Sequence, residues 1–195
     1  MRTLEKILIL LFVLTLGLQF FLIAGTTLLF VLVAMLLSCI YFYLGFAVLN
    51  GVRFRSIFKK AAYEEFKGKE IAFAIGIGLS LSTLVIGILF KALQWPGAEF
   101  MLQFGLGSGL ILLLAVVLFF RKNNPVFFKF NTLRIGIFGL LGIIFYFISN
   151  NTFLEIKYGE YPEYVELRKQ LYNDPTNLEL QQQVNDAYFK IEQEH

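Results

Sequence analysis

The segment from residue 71 to residue 90 reads IAFAIGIGLSLSTLVIGILF and contains no Asp, Glu, Lys or Arg. One α-helix of about 20 residues is long enough to cross the hydrocarbon core of a bilayer. Because lipid offers no hydrogen bonds, the backbone of such a segment must bond to itself as a helix. The segment therefore predicts a membrane-spanning helix.

Four other segments share this length and apolar character. Of the 195 residues, 57% are apolar and 16% are charged, whereas about a quarter of the residues in a soluble domain are charged. Barrel strands would alternate polar and apolar residues, which these segments do not. We therefore predict an all-α polytopic membrane protein with a transmembrane domain over residues 1–154 and a short C-terminal helical hairpin. The expected spans are residues 7–25, 28–49, 71–90, 100–120 and 133–153.

The composition leaves few groups for chemistry. The chain has one His, His195, and one Cys, Cys39. Zinc and haem sites take several His or Cys ligands, so we expect no metal site and no cofactor. A nucleophilic Ser or Cys would need His195 as its base, so we expect no catalytic residue and no enzyme activity. We also expect no nucleic-acid partner, because the sequence contains no exposed basic domain.

Lys and Arg residues fall on alternate sides of the predicted spans. Residues 50–70 contain six and residues 121–134 contain four, whereas Thr26 and Thr27 separate the first two spans without a charge. The positive-inside rule then places the N-terminus and both basic loops in the cytoplasm and the C-terminus in the periplasm. We therefore expect a bacterial inner-membrane protein that is embedded in the lipid bilayer, which counts among its partners.

Two loop segments have the character of the membrane interface. Apolar residues between Phe54 and Ala62 recur at helical spacing among basic ones, which predicts a short amphipathic helix on the cytoplasmic face. The aromatic residues of Pro125–Phe130 suit the head-group layer, so we expect this segment to precede the fifth span as an interfacial element.

Residues 155–195 form an acidic tail with nine acidic and four basic residues. The tail predicts two helices separated at Asn173-Asp174-Pro175, with Asp174 as N-cap and Pro175 at the first helical position. We expect the pair to pack as a hairpin in the periplasm and to rest on the membrane domain or on a partner, with Tyr164 and Tyr188 among the contact residues. A solvated and partly frayed tail is the alternative.

The predicted spans contain few polar groups that could support transport. Lys91 and Glu99 flank the link between spans three and four, and Arg134 is expected to snorkel to the interface. Small residues are the stronger signal, because Gly105 and Gly109 form a GxxxG pattern that lets helices approach closely. The pattern fits either contacts between spans of this chain or contacts with another subunit.

The link itself is distinctive, since residues 87–102 read GILFKALQWPGAEFML. This segment resembles a hairpin in the L subunit of the gliding-motility (type nine secretion) motor, related to hairpins of many small membrane proteins of the Bacteroidota. The shared pattern is FK-x-x-(H/Q)-WPGA followed by Met-Leu, and it covers only spans three and four. The resemblance implies that Lys91, Gln94, Trp95, Pro96 and Gly97 form a tight turn with interaction roles.

Two departures separate the chain from the motor subunit. Gln94 stands where that family usually has His, and Gly109 stands where the motor subunit has a glutamate inside its span. Because the proton path of a motor needs that carboxylate, the motor function is not expected here.

These observations favour a non-catalytic accessory or scaffold subunit of a bacterial envelope complex, linked to secretion or gliding machinery through the hairpin resemblance. The expected partners are other membrane or periplasmic protein subunits. The alternatives are a small membrane transporter or channel, and a lipid-modifying membrane enzyme. A transporter usually needs a buried carboxylate or a broken helix.

The orientation can be tested by labelling single cysteines in intact spheroplasts with an impermeant maleimide. We expect a cysteine at Glu179 to react because the tail is periplasmic, and a cysteine at Lys60 to stay unlabelled until the membrane is permeabilised. The endogenous Cys39 is replaced by Ser in both variants. The reverse labelling pattern would contradict the predicted topology.

Overall fold

The protein, described by a computed structural model over residues 2–23, 25–64 and 66–194, consists there of helices joined by turns, without a strand. Five helices in this described part are long and apolar enough to cross a membrane, which confirms the predicted all-α polytopic membrane fold. These are α1 (Arg2–Leu18), α2 (Thr26–Val48), α3 (Gly68–Ala92), α4 (Ala98–Phe120) and α5 (Pro125–Phe147). The first span covers Thr3–Phe21, because the 3₁₀ turn Gln19–Phe21 continues α1. Three shorter helices follow: α6 (Asn150–Tyr158), α7 (Pro162–Asn173) and α8 (Leu178–Glu194). Helix α6 begins before residue 155, and we include it in the tail from here on.

Helix α3 lies at the centre of the bundle and packs against α2, α4 and α5. Its closest neighbour is α2, because a Cβ on Gly78 would come within 2.5 Å of the Tyr41 carbonyl oxygen. The Cα of Gly45 is 3.0 Å from the same position, so the two backbones touch where both helices lack side chains. Such contacts drive helix association in lipid, where apolar burial gives little preference for protein over lipid.

Hydroxyl groups join α3 to its neighbours inside the bundle. The Ser38 and Ser82 hydroxyls lie 2.7 Å apart and share a hydrogen bond between α2 and α3. The Ser80 hydroxyl donates to the Gly105 carbonyl oxygen of α4 at 3.0 Å. Each of these groups would be costly in lipid without a partner, so the bonds specify which helix faces meet.

A buried ion pair connects α1 to α5. The Arg134 guanidinium donates from Nε to Glu5 Oε1 at 2.5 Å and from Nη2 to Glu5 Oε2 at 2.6 Å. The Tyr41 hydroxyl of α2 donates to the same carboxylate at 3.0 Å, and Glu5 is 3% exposed. The expectation that Arg134 snorkels to the interface is therefore wrong, because Glu5 supplies a bidentate partner within the bundle.

The fifth span begins earlier than expected, at Pro125 rather than near residue 133. Asn124 caps it by accepting a hydrogen bond from the Phe127 backbone N–H at 3.0 Å, and Pro125 occupies the first turn. The interfacial segment expected before this span is thus its first turns. The helix ends at Phe147, and Ser149 caps α6 as a separate helix, so residues 150–153 do not belong to the span.

The loop after α2 is not the amphipathic α-helix that its apolar spacing predicts. It contains two short 3₁₀ turns, Phe54–Ser56 and Lys60–Tyr63. Between them, Ile57 is buried in a small cluster with Ala47 and Val52 at the end of α2. The Tyr63 hydroxyl donates to the Ile57 carbonyl oxygen at 2.8 Å, so the loop folds back on itself instead of continuing as a helix.

The tail folds as predicted into a helical hairpin, α7 and α8, and α6 joins it to α5. Asn177 caps α8 through a hydrogen bond from the Leu180 backbone N–H at 3.1 Å, so the expectation of an Asp174 cap is wrong. Asp174 instead accepts bonds from the side chains of Thr176 and Asn177 in the connecting turn. The apolar core of the tail consists of Leu154, Tyr158, Tyr164, Val165, Val184, Ala187 and Ile191.

We expect single replacements in the ion pair to destabilise the bundle. Glu5→Met or Arg134→Met alone leaves an unpaired buried charge and costs on the order of 3 kcal/mol. The double replacement removes both charges and recovers most of this loss. Apparent Tm in mild detergent measures the effect, with Lys6→Met, an exposed neighbour of Glu5, as control. Additive losses in the double variant would contradict the pairing.

Candidate functional site

The link between α3 and α4 is a tight turn that carries the residues singled out by the sequence. The Trp95 backbone N–H donates to the Phe90 carbonyl oxygen at 2.8 Å. Gln94 and Gly97 both adopt left-handed conformations, with φ of 57° and 86°. Glycine takes this conformation without strain, whereas Gln94 does so at a cost of about 1 kcal/mol. Its amide donates to the Lys91 carbonyl oxygen at 2.9 Å and holds the turn.

Helix α7 reaches this turn and binds it at Gln94. The Tyr172 hydroxyl donates to Gln94 Oε1, and Arg168 Nη2 donates to the Gln94 carbonyl oxygen at 3.5 Å. The amide of Gln94 thus bonds within the turn through its nitrogen and to the tail through its oxygen. The fold therefore brings together the hairpin and the tail, which the sequence singled out as separate interaction segments.

A cavity of about 530 Å³ lies between the turn and the tail, and we call it the hairpin pocket. Trp95, Pro96 and Gly97 line it from the turn, and Trp95 is 44% exposed. The polar side chains that line it are Lys91, Gln94, Glu99, Asn150, Arg168, Tyr172, Gln181 and Asn185.

The hairpin pocket contains more cationic than anionic groups. Lys91 is 1% exposed, and its Nζ lies 3.7 Å from Oε1 of Glu99, whose side chain is 63% exposed. Arg168 lies over the Tyr172 ring at 5.9 Å, and its Nε is buried without a described hydrogen-bond partner. Burial raises the pKa of the Tyr172 hydroxyl, so this hydroxyl stays a donor at neutral pH. The pocket therefore suits an anionic or carbonyl group.

Tyr164 and Tyr188 lie inside the tail, where they pack with Tyr158. The ring centroids of Tyr158 and Tyr164 are 4.7 Å apart, and those of Tyr164 and Tyr188 are 5.9 Å apart. Burial raises the pKa of Tyr158 well above its ordinary value and also raises that of Tyr164. These two predicted interaction residues therefore contribute to the stability of the tail itself.

Gly105 and Gly109 face α3 within the chain. A Cβ on Gly105 would lie 2.8 Å from Leu84 Cγ, and a Cβ on Gly109 would lie 3.1 Å from the Ser80 hydroxyl oxygen. Gly107, on the other side of the same helix, has no described atom within 4 Å. Of the two interpretations of the GxxxG pattern, this packing supports contact between spans at Gly105 and Gly109.

Lys157 is a polar group that the sequence analysis missed. It is 7% exposed, and burial, with a smaller effect of nearby Arg168, lowers its pKa to about 8. A signal was present in the sequence, because Lys157 occupies one helical face with Phe153, Leu154 and Tyr158, which are apolar. Glu5 was missed as well, since its partner is 129 residues away.

No protein-family model matches the chain, and neither a curated protein nor a solved structure matches it. Among the described residues, no three His, Cys, Asp or Glu side chains lie together as the ligands of a metal would. The assignment of a function therefore depends on the geometry of this chain.

We expect the stability of the protein to rise between pH 8 and about pH 9.5 because of Lys157. In this range the unfolded chain, with a lysine pKa of 10.5, holds a proton that the folded chain, with a pKa of about 8, has released. The free energy of unfolding therefore rises by up to roughly 2 kcal/mol across this range. The range ends below the ordinary tyrosine pKa of 10.0. Above that pH the unfolded chain loses protons that the buried tyrosines keep, which has the opposite effect on stability.

Apparent Tm of the parent and of Lys157→Met, measured in detergent across this pH range, tests the expectation. The parent should gain stability relative to the variant as the pH rises. Parallel curves for the two proteins would show that Lys157 does not titrate near pH 8.

Proposed function

We propose that the chain is a non-catalytic accessory or scaffold subunit of a bacterial inner-membrane complex, with its N-terminus in the cytoplasm and its tail in the periplasm. The docking of the tail at Gln94 is the observation that supports this function most directly. A tail fixed to the spans holds its outer surface at a defined position above the membrane, as a subunit that positions partners requires.

Helix α8 offers an aqueous surface for such a partner. Its inner face contributes Val184, Ala187 and Ile191 to the core of the tail. On the rest of the helix, Leu178 is 77% exposed and Phe189 is 59% exposed. These two residues are eleven positions apart, about three helical turns, so they lie on the same side of α8. Apart from its inner face, α8 is mostly polar. Exposed aromatic side chains such as Phe189 are enriched in protein interfaces.

Helices α4 and α5 offer a second surface, within the membrane. A groove of about 300 Å³ between them is lined by apolar side chains and by Gly136 and Gly139, which have no described atom within 4 Å. Only 22% of the most apolar stretch of helix α4 is buried within the chain, the lowest share among the described spans. The helix of a partner subunit can approach such a surface closely, because no side chain holds it away.

Two contacts on one rigid body reinforce each other through effective concentration. A membrane contact at α4–α5 and an aqueous contact at α8 together bind a partner more tightly than either does. The resemblance of residues 87–102 to the motor-subunit hairpin supports a place in an envelope assembly of the secretion and gliding class.

We expect the protein extracted from native membranes in mild detergent to migrate as a complex larger than its own mass of 22.4 kDa. Phe189→Asp should weaken the aqueous contact, and Gly139→Leu should weaken the membrane contact. Deletion of residues 160–195 should release the aqueous contact while the spans stay inserted. Native electrophoresis followed by mass spectrometry measures the partner that is lost.

Two matched variants serve as controls. Gln182→Asp introduces the same charge at an exposed position of α8 and should leave the complex intact. Gly105→Leu should lower the apparent Tm of the protein itself, because the new side chain meets Leu84. A parent that purifies as a lone monomer, with unchanged behaviour of Phe189→Asp and Gly139→Leu, would contradict the scaffold function.

A further inference from the structure

A second cavity, of about 380 Å³, lies where the link between α1 and α2 meets α6 and α8, and we call it the link cavity. Its walls are mostly apolar, with Leu22, Leu28, Val31 and Ile191 among the lining residues. Three buried polar residues line it: Gln19, Lys157 and Thr26. The Thr26 hydroxyl donates to the Ile23 carbonyl oxygen, whereas Gln19 and Lys157 approach each other from different elements. The cavity therefore combines an apolar wall with a small polar end.

Lys157 has poor compensation for its buried charge. Its Nζ lies 3.4 Å from Gln19 Oε1 and 3.5 Å from the Ala92 carbonyl oxygen, and 5.2 Å from the centroid of the Tyr158 ring. Among the described side chains, no carboxylate lies within 4 Å of it. A buried ammonium with only long contacts to neutral oxygens attracts an anion strongly.

Gln19 supplies a second donor that has no described partner. The residue is 2% exposed, and its Oε1 accepts from the Thr27 hydroxyl at 3.2 Å and from Lys157. Because an ammonium only donates, the amide oxygen must face Lys157. The amide nitrogen is then the atom that is buried without a described hydrogen-bond partner. A buried donor of this kind costs free energy until an acceptor reaches it.

The lining residues also indicate the rest of the ligand. None of them is acidic, so an anion meets no like charge from the cavity wall. The apolar wall continues along α2 through Leu28, which is 66% exposed, and Val31. Because α2 is a membrane span, this surface leads from the polar end of the cavity into the hydrocarbon region. A ligand that satisfies both parts has an anionic head and an acyl chain.

We propose that the link cavity binds an anionic amphiphile, with its phosphate or carboxylate on Lys157 and Gln19 and its acyl chain along Leu28 and Val31. This site goes beyond the scaffold function and does not depend on it. With a pKa of about 8, Lys157 is mostly protonated at neutral pH and available to an anion. A bound anion also accepts a hydrogen bond from the amide nitrogen of Gln19, which otherwise has no described partner.

The proposal can be tested on the full chain in a neutral maltoside detergent by native mass spectrometry. The probes are oleoyl lysophosphatidylglycerol and monooleoylglycerol, which share the oleoyl glycerol unit and differ by the anionic phosphoglycerol group. We expect one lysophosphatidylglycerol to be retained per chain and monooleoylglycerol to bind at least about tenfold more weakly. Inorganic phosphate alone should not displace the lipid, because it lacks the chain.

Two variants assign the site, and a third serves as control. Lys157→Met should weaken lysophosphatidylglycerol binding about tenfold. Gln19→Glu should abolish binding and raise the apparent Tm, because the new carboxylate pairs with Lys157 and repels the anion. Lys169→Met removes a tail lysine that pairs with Glu155 at 2.7 Å and does not line the cavity, so binding should be unchanged.

Equal binding of the two lipids, or complete displacement by inorganic phosphate, would overturn the amphiphile site. Retention of parental binding by both Lys157→Met and Gln19→Glu would also overturn it. Because Gln19→Glu is expected to be more stable than the parent, it tests the site even where Lys157→Met fails to fold. Partner recovery in native electrophoresis is a separate readout, so failure here leaves the scaffold function standing.

Discussion

The structure depends on the rule that a polar group inside a bilayer must find its partner within the protein. At the centre of the bundle, Gly78 and Gly45 bring α2 and α3 into backbone contact, and the Ser38–Ser82 bond closes beside it. Once these faces are matched, α3 presents Ser80 to α4 and leaves α4 and α5 open on their outer sides. Close packing and hydrogen bonding thus select the same arrangement of helices.

The same rule distinguishes two kinds of buried charged group, those with a partner in the chain and those without one. Glu5 and Arg134 satisfy each other with two short hydrogen bonds, so their pair needs nothing from outside the chain. Lys157 has only long contacts to neutral oxygens, and Gln19 keeps an unpartnered donor beside it. A satisfied buried pair determines how helices pack, whereas unsatisfied donors around a cavity indicate a ligand that the chain does not supply. The two ends of the bundle differ in this respect.

The spans were predictable because membrane insertion depends on local runs of apolar residues, which hydropathy reads directly. The partner of Arg134 was not predictable, because Glu5 lies 129 residues away in the sequence. Each of the two charges, taken singly, suits the membrane interface. The helix predicted for the loop after α2 was wrong for a related reason. Its apolar spacing fits a helix, but Ile57 packs back on Ala47 and Val52 instead of on lipid. Tertiary contacts of this kind leave no local pattern in a single sequence.

The candidate sites were predictable only in part, and the reason lies in how the tail docks. The sequence singled out Gln94 for its place in an unusual turn, and the fold uses that residue to receive Tyr172 and Arg168. The left-handed backbone at Gln94 directs its carbonyl and amide groups toward the tail, so a strained turn becomes a point of attachment. Docking there closes the hairpin pocket on one side, and α6 brings Lys157 to Gln19 on the other. The hairpin pocket therefore follows from a contact between segments that are 78 residues apart. The link cavity follows from a separate contact, between Lys157 and Gln19.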